Sequence, residues 1–426
     1  MSQRRQHQQN IMVAFMAIQS HFMTEEEFNA LYDKRPRKFW VKPWLTEQHR
    51  LLFGQYNRLM TQLRLEDEAS FINFIRMPPQ LFDEILQRIE HRMNKRATNF
   101  RRPLEAGLKI AVTLRHIASG DKYSSLQYNF RCGRSTITKF VPEVCRAIVD
   151  EFKDEVISCP TTSEEWRKIS DEFYRRWNVP HACGAIDGKH VSIRCPPNSG
   201  SMFYNYKGFY SIVLLGLVDA DYKFLWVDCG GNGAMSDAQI YNASELKYHL
   251  QEGTIGLPNP EPLPNDDKDM PYYILGDDAF GLRTYLMKPY SQRYMTREQL
   301  VYNYRISRGR RVVENAFGIM ASRWQILLTQ MMQTPDNVRI IIEACVILHN
   351  LLRMKFPSMQ NTQLDSEDSE HNIVPGAWRA TANMHEVDQV RGHNVDATRA
   401  KRQREYLRLY FNSTAGSVPW QDNMIS

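Results

Sequence analysis

The fold of this 426-residue chain is decided by the stretch Ala182-Cys183-Gly184-Ala185-Ile186-Asp187-Gly188-Lys189-His190-Val191-Ser192-Ile193. This stretch is rich in strand formers, and two similar runs follow it at residues 210–218 and 224–228. The sequence Asp219-Ala220-Asp221 predicts a turn between those two runs. The simplest account is three successive antiparallel strands, with Asp187 inside the first, directly after an apolar run.

Two further acids lie at the ends of predicted elements. Asp277 directly follows a short buried strand at residues 272–275. Glu314 lies at the edge of the apolar face of a helix at about residues 296–328, which we expect to be interrupted near Gly309. The order of these elements predicts that Asp187, Asp277 and Glu314 meet at one end of a mixed sheet.

Two further helices are predicted, one before the strand at residues 272–275 and one after the helix at residues 296–328. Ser236 is a candidate N-cap for a helix over residues 236–250. A second helix, over residues 334–352, has Thr334 as N-cap and Pro335 at its first position. The catalytic part of the chain is therefore predicted to be of the α/β class.

The chemistry of three converging carboxylates indicates a metal site. Hard oxygen ligands are those that magnesium prefers, with water and substrate phosphate in its remaining positions. Two such ions activate the attacking oxygen and stabilise the leaving oxygen in phosphodiester cleavage. Each acid taken alone is more often a structural cap or turn residue, so the prediction depends on all three together.

An all-helical module is predicted before the strands. Within it, residues 120–140 fit a helix-turn-helix, with a turn at Gly133 and Ser135 as the candidate N-cap of the second helix. Five side chains suit contacts with phosphates or base edges: Arg131, Arg134, Thr136, Thr138 and Lys139. Any two helices joined by a glycine turn give a similar pattern, so a purely structural role is the alternative.

The composition is that of an ordinary globular protein, with 42% hydrophobic and 24% charged residues. The best apolar run, Ser211 to Val218, has the length of a strand, so no membrane association is expected. The N-terminus lacks the features of a signal peptide, and seven scattered cysteines without a Cys-x-x-Cys pair are expected to be reduced inside the cell. The net charge of +6 is concentrated in residues 1–186, which indicates an anionic partner such as nucleic acid.

Four regions are predicted along the chain. Residues 1–77 form a basic arm that contains Trp40 and Trp44, residues 78–160 the helical module, and residues 161–357 the catalytic domain. Residues 358–426 are predicted as a polar linker followed by a basic helix at 399–411.

Three blocks of this sequence closely resemble the catalytic blocks of PIF/Harbinger-type DDE transposases. The blocks are Gly184-Ala185-Ile186-Asp187-Gly188-Lys189-His190-Val191, Leu275-Gly276-Asp277-Asp278-Ala279-Phe280-Gly281-Leu282 and Arg311-Val312-Val313-Glu314-Asn315-Ala316-Phe317-Gly318. The likeness covers most of residues 35–355, including Tyr204-Asn205-Tyr206-Lys207-Gly208-Phe209-Tyr210-Ser211.

The resemblance implies an RNase H-like catalytic domain preceded by a DNA-binding helix-turn-helix module. It assigns Asp187, Asp277 and Glu314 as catalytic ligands of magnesium (Mg²⁺), for which manganese (Mn²⁺) would substitute. Asp278 is the neighbouring alternative to Asp277, but the flanking Gly276 and Leu282 favour Asp277. Asp237 also matches a family position, and we interpret it as supporting the site rather than binding metal.

Basic residues near these blocks are predicted to contact the DNA. They are Lys189, Lys207, Arg308, Arg310 and Arg311. Arg310 and Glu314 are four residues apart on one helix, so a plain surface ion pair is the alternative for Arg310.

The resemblance implies an enzyme that binds transposon ends, nicks them and transfers the freed 3′ hydroxyl strand to a target site in double-stranded DNA. A nuclear location, a homo-oligomer and a Myb/SANT-like partner protein are expected from the same resemblance. Two alternatives stay open. One is a domesticated transposase that binds DNA or assembles complexes without cleavage, and the other is a metal-dependent nuclease unrelated to mobile DNA.

Overall fold

The computed structural model describes residues 41–94, 102–361, 363–380, 384–387 and 397–425. The chain divides into two units, Met1–His49 and Arg50–Ser426. The described part of the first unit contains a 3₁₀ turn at Pro43–Leu45, which includes Trp44. Trp40 and most of the predicted basic arm lie outside the described residues.

Helices make up the described chain before the sheet. Their bounds are α1 (Glu47–Phe53), α2 (Leu59–Glu66), α3 (Glu68–Ile75), α4 (Pro79–Met93), α5 (Ala106–Ser119), α6 (Tyr123–Phe130), α7 (Arg134–Val156) and α8 (Ser163–Trp177). The helical spacing of apolar residues explains their packing, since Leu81, Ile85 and Ile89 of α4 are all fully buried. The predicted helical module is therefore present.

Helices α6 and α7 are joined by the short turn at residues 131–133. Arg131 ends α6 in the left-handed region, with φ of 54°. Gly133 is the N-cap of α7, which begins at Arg134, so the prediction of Ser135 as N-cap was wrong. The hydroxyl of Ser135 is not needed there because the Gln127 side chain accepts a hydrogen bond from the Arg134 N–H at 2.9 Å. That this pair binds DNA stays a prediction.

The strands of the central mixed sheet are β1 (Ala182–Ser192), β2 (Ser211–Val218), β3 (Phe224–Asn232), β6 (Tyr273–Leu275), β7 (Leu286–Met287) and β10 (His385–Glu386). Their order in the sheet is β3-β2-β1-β6-β7, and β10 also pairs with β1. The first three are antiparallel, whereas β6 and β7 run parallel to β1. The three predicted antiparallel strands and the short strand before Asp277 are confirmed. Two small ribbons are separate from this sheet: β4 (Glu261–Pro262) with β5 (Asp269–Met270), and β8 (Ser366–Glu367) with β9 (Ile373–Val374).

Helices cover both faces of the sheet. They are α9 (Asp237–Ala243), α10 (Glu245–Gln251), α11 (Arg297–Arg323) and α12 (Pro335–Lys355). Ile186 of β1 packs in one buried cluster with Ile240 of α9. On the other face, Leu214 of β2 and Phe317 of α11 belong to a core that continues into the helical module. The module and the sheet therefore share a hydrophobic core.

Two helix boundaries differ from the prediction. The helix capped by Ser236 ends at Ala243, because Ser244 adopts an extended conformation and caps a new helix with its side chain. In contrast, α11 runs unbroken through Gly309, where a larger residue would collide with the side chain of Leu275. Gly309 therefore permits close packing of α11 on β6 and does not interrupt the helix. The predicted start of α12 at Pro335, after Thr334, is confirmed.

The described parts of the chain after α12 pack onto the sheet and α11, although the sequence suggested a polar linker up to about residue 396. Their elements are α13 (Ser358–Asn361), the β8–β9 ribbon, a 3₁₀ turn (Ala377–Ala380), β10, α14 (Thr398–Phe411) and a last 3₁₀ turn (Gln421–Met424). Trp378, Met384 and Val387 are buried in this region. The predicted basic helix corresponds to α14.

None of the helices in the described part of the chain combines the length and apolar character that a membrane crossing requires. The described cysteines are free thiols, which agrees with the expectation from their spacing. The region boundaries proposed from sequence, after residues 77, 160 and 357, stay predictions.

Candidate active site

Asp187 lies in the middle of the sheet and faces α11. It is paired in register with Gly216 of β2. A side chain on Gly216 would collide with Phe224 and approach Phe317 of α11 within 3.3 Å, so the lack of a side chain at Gly216 leaves room for these two rings beside Asp187. The Asp187 side chain is 8% exposed. The strand thus carries a carboxylate into the interior, where it requires positive partners.

Lys189 is the first of these partners. Lys189 lies two residues after Asp187 on β1 and on the same face of the strand. Its Nζ is 2.9 Å from Asp187 Oδ2 and 3.5 Å from Glu386 Oε1 of β10. Burial by itself lowers the pKa of Lys189, but the carboxylates of Asp187, Glu386 and Glu314 outweigh it, and the net pKa is raised. Lys189 is therefore a buried ammonium inside the acidic site.

Arg310 joins two of the predicted catalytic acids. Its Nη2 donates to Glu314 Oε1 at 2.6 Å, and its Nη1 lies 3.9 Å from Asp187 Oδ1. Burial by itself lowers the pKa of Arg310. The carboxylates of Asp187, Glu314 and Asp277, in decreasing order of effect, outweigh burial, so the net pKa is raised. The surface ion pair that the spacing allowed is thus half-buried, and Arg310 is a shared counter-ion of the site.

Asp277 and its neighbour Asp278 have different surroundings. Asp277 is buried directly after β6, and its Oδ1 accepts a hydrogen bond from the Ala279 N–H at 2.9 Å. The side chain of Asp278 is 24% exposed and lies 3.4 Å from Lys288 Nζ. Since Asp277 also acts electrostatically on Arg310, its position supports Asp277 rather than Asp278 as the second acid.

Asp237 lies on the opposite face of β1 from Asp187, beside Gly188. It is 2% exposed, and its Oδ1 has no hydrogen-bond partner among the described residues. A side chain at Gly188 would collide with this oxygen, so only glycine leaves room for Asp237 there. Burial, followed by the charges of Asp187 and Asp277, raises the pKa of Asp237 well above its usual value. Asp237 is therefore close to the acids, and the positive charge of Lys189 offsets only part of the rise in its pKa.

The donor set fits a divalent cation in chemistry. Asp187 and Glu314 offer carboxylate oxygens on either side of Arg310, and Asp277 acts electrostatically on the same arginine. Within the described ranges, however, no three Asp, Glu, His or Cys side chains converge closely enough to enclose a metal ion. In this structure the carboxylates of Asp187 and Glu314 are paired with Lys189 and Arg310.

The chain segment after α12 forms one wall of this site. The sequence did not predict this wall. The Trp378 ring lies on Gly318 of α11, where any side chain would collide with it. Trp378, Met384 and Glu386 line a solvent-open concavity together with Lys189 and Glu314. The one signal in the sequence was an isolated tryptophan within a polar stretch.

The other predicted DNA contacts are found in three places. Arg308 is 5% exposed and its Nη1 donates to Glu367 Oε1 at 2.5 Å, while Arg311 Nη2 lies 3.4 Å from the same oxygen. Arg134 and Lys139 are exposed near the start of α7, where Thr136 is half-buried. Lys207 is exposed on the loop after β1. The structure thus brings Lys189 and Arg310 to the acids but pairs Arg308 and Arg311 with Glu367.

Comparison with known proteins agrees with this arrangement. Residues 186–350 match the model of the DDE superfamily endonuclease family. "Protein ALP1-like" of Arabidopsis thaliana is 27% identical over 295 residues, which cover 67% of this chain and 71% of the relative. The human protein named "Putative nuclease HARBI1" is 25% identical over 312 residues, covering 71% of this chain and 83% of the relative. No solved structure matches the chain.

The mixed sheet, the acids on β1, after β6 and on α11, and the matched segment define a DDE superfamily endonuclease domain, which implies an RNase H-like fold. DDE superfamily endonucleases generally use divalent metals. Together with the two relatives, this match supports a Harbinger-type family derived from DDE transposases.

Proposed function

We propose that this protein is a magnesium-dependent DNA endonuclease that nicks transposon ends and transfers the freed 3′ hydroxyl strand to target DNA. The observation that carries the proposal is the contact of Arg310 with both Asp187 and Glu314, which lie on different elements, beside the buried Asp277. Buried acids held together by shared cations are costly for stability and are typical of functional sites.

In this proposal Asp187, Asp277 and Glu314 hold Mg²⁺, and Mn²⁺ substitutes for it. The bound metal would activate the attacking oxygen and stabilise the leaving oxygen. The chain's own cations have a separate task. Lys189 and Arg310 hold the carboxylates of Asp187 and Glu314 in place, and their charge attracts the phosphates that flank the scissile bond.

The proposal extends to DNA binding by the helical module. The exposed Arg134 and Lys139, with Arg131 and Thr136, would contact the terminal repeats through α7. We further propose that the protein acts in the nucleus as a homo-oligomer, assisted by a Myb/SANT-like partner.

A specific observation favours a second candidate function, a domesticated protein that binds DNA without cleaving it. Asp187 and Glu314 are neutralised by Lys189 and Arg310, and Glu386 of β10 lies against the same lysine. If Lys189 and Arg310 stay paired with these carboxylates, the carboxylates are not free to bind metal, and the protein would bind DNA without cleaving it.

Plasmid nicking separates the two functions. The full chain is incubated with supercoiled plasmid that carries cognate terminal repeats, with Mg²⁺, with Mn²⁺ or with EDTA. The endonuclease proposal expects metal-dependent nicks at the repeats by the wild type and none by Asp187→Asn or Glu314→Gln. Binding of the repeats without nicks in any metal would support the domesticated function. Nicking without preference for the repeats would instead indicate a nuclease unrelated to mobile DNA.

A further inference from the structure

The loop between β1 and β2 exposes apolar and aromatic side chains in an unusual concentration. Over residues 201–206 the exposed fraction is 53% for Met202, 46% for Tyr204 and 54% for Tyr206. Single exposed apolar residues need no explanation, but a cluster of them on one short loop indicates a contact surface. The position of the loop suggests what that contact is.

This loop is held in place by a buried hydrogen-bond network. Asn205 is 2% exposed, and its Nδ2 donates to Ser211 Oγ at 2.9 Å while its Oδ1 accepts from the Phe209 N–H at 3.2 Å. The Ser211 hydroxyl is in turn 2.9 Å from His190 Nδ1 on β1. Gly208, with φ of 85°, closes the turn in a conformation that other residues rarely adopt. The two tyrosines are therefore presented by a fixed backbone, which limits the entropy lost when they bind a ligand.

Each of these two tyrosines packs against another ring. Tyr204 forms a β-bridge with Tyr210, and the two rings meet edge to face with centroids 5.1 Å apart. The Tyr206 ring centroid lies 6.4 Å from that of His190. His190 directly follows Lys189, the lysine that contacts Asp187. The exposed rings therefore lie next to the strand that carries the first acid.

The charge of the loop identifies the class of ligand. From Arg194 to Tyr210 the sequence contains Arg194 and Lys207 and no Asp or Glu. Lys207 Nζ lies 5.4 Å from the centroid of the Tyr206 ring, so cation and aromatic face form one unit. Aromatic faces bordered by positive charge suit single-stranded nucleic acid, whose bases stack while its phosphates are neutralised.

We propose that Tyr204, Tyr206 and Lys207 form a stacking platform that binds unpaired bases of the DNA strand next to β1, the strand that carries Asp187. The proposal rests on the proposed nuclease function and deepens it, since it names the form of DNA that the site prefers. Strand ends and locally melted duplex supply such bases. Stacking on one aromatic side chain changes affinity by roughly 5- to 100-fold.

The test measures DNA binding in EDTA by fluorescence polarisation, so that cleavage does not enter. The probes are a blunt 30-base-pair duplex and the same duplex with a six-thymidine 3′ overhang. We expect the wild type to bind the overhang probe more tightly than the blunt duplex. Tyr204→Ala and Tyr206→Ala should each reduce the ratio of these two affinities by roughly 5- to 100-fold. Tyr206→Phe should retain it, because the ring is kept, whereas Tyr206→Leu should not.

Two controls make the result specific. Tyr248→Ala removes a tyrosine that is 63% exposed on α10 and should leave both affinities unchanged. Lys207→Gln should lower the dependence of log K on log salt for the overhang probe by about 0.7, whereas the tyrosine variants should not change that slope. Equal binding of both probes by the wild type, or equal losses with Tyr206→Phe and Tyr206→Ala, would overturn the platform. A protein that prefers the overhang but never nicks DNA would overturn the nuclease proposal alone.

Discussion

The indole nitrogen of Trp378 donates a hydrogen bond to Asn315 Oδ1 at 2.7 Å. Asn315 follows Glu314 on α11 and is itself 1% exposed. This contact attaches the C-terminal segment to the turn of helix that carries the third acid. The segment that the sequence suggested as a linker is therefore a structural part of the site, and its removal should affect α11 directly.

We expect Trp378→Ala to lower the free energy of unfolding by about 3–5 kcal/mol, because it empties the space over Gly318. Trp378→Phe fills most of that space but leaves Asn315 Oδ1 without its donor, so it should cost about 1–3 kcal/mol. Urea denaturation followed by circular dichroism measures both. If the two variants unfolded like the wild type, the packing of this segment on α11 would be wrong.

Asp277→Asn should abolish metal-dependent nicking, whereas Asp278→Asn should retain most of it. Asp277 is buried beside Arg310, whereas Asp278 pairs with Lys288. The two changes are the same in chemistry and adjacent in the chain, so each is the matched control of the other. An active Asp277→Asn and an inactive Asp278→Asn would reverse the assignment of the second acid.

Arg310→Gln should make stability depend more strongly on divalent metal. The change leaves Asp187 and Glu314 without their shared cation, and their repulsion should lower the free energy of unfolding by about 1–2 kcal/mol, less than for a fully buried pair. Thermal melts with and without Mg²⁺ should show a larger increase in Tm on adding metal for Arg310→Gln than for the wild type. Arg175→Gln, which removes an exposed pair with Glu172, is the control and should show the wild-type increase. Equal increases in all three proteins would indicate that Arg310 does not neutralise the metal ligands.

Stability should fall as the pH decreases from 6.5 to about 4. Burial lowers the pKa of His349 from 6.5 to about 4, and its Nε2–H donates to the Tyr222 carbonyl at 2.9 Å. Because the unfolded chain takes up this proton first, the stabilisation is complete above pH 6.5 and is lost as the pH falls through this window. His349→Gln keeps a donor and removes the titration.

The His349→Gln variant should therefore flatten the dependence of unfolding free energy on pH by up to about 1.4 kcal/mol per pH unit. The measurement is urea denaturation at several pH values. His116, whose pKa burial also lowers to about 4, should keep part of the slope in the variant. An unchanged slope would mean that His349 is protonated at a similar pH in the folded and unfolded states.

Arg134→Gln with Lys139→Gln should weaken DNA binding and reduce the slope of log K against log salt by about two units. Both residues are exposed near the start of α7. Arg175→Gln with Lys168→Gln on α8 is a control of equal charge change, and should leave the slope unchanged. A slope that does not respond to the α7 changes would assign α6 and α7 a purely structural role.

Local patterns in the sequence predicted the elements whose stability has local causes. The run of strand formers around Asp187, the apolar face beside Glu314 and the Thr334-Pro335 start all depend on residues within a few positions of one another. Gly309 was misinterpreted because its meaning depends on Leu275, which belongs to a different element. Ser244 was missed because a second N-cap within an apolar periodic stretch resembles an ordinary helical serine.

That Asp187, Asp277 and Glu314 are the catalytic acids stays a prediction, and the ion pairs of Lys189 and Arg310 were not predicted. Lys189 and Arg310 were expected to contact DNA, yet their recorded partners are Asp187, Glu314 and Glu386. The contribution of β10 was beyond sequence reasoning, since two residues carry no periodicity. Long-range contacts of this kind depend on packing that no local window contains.

The pairing of β10 with β1 has a consequence for the order in which the protein matures. Lys189 and His190 find their partners, Glu386 and His385, almost 200 residues later in the chain. A ribosome that has released all three acids has therefore not yet released the strand that closes their site. During synthesis the acids and the unpaired edge of β1 are exposed together, and the wall over Glu314 is added last. The candidate site can thus be completed only after residues 385–386 have been synthesised.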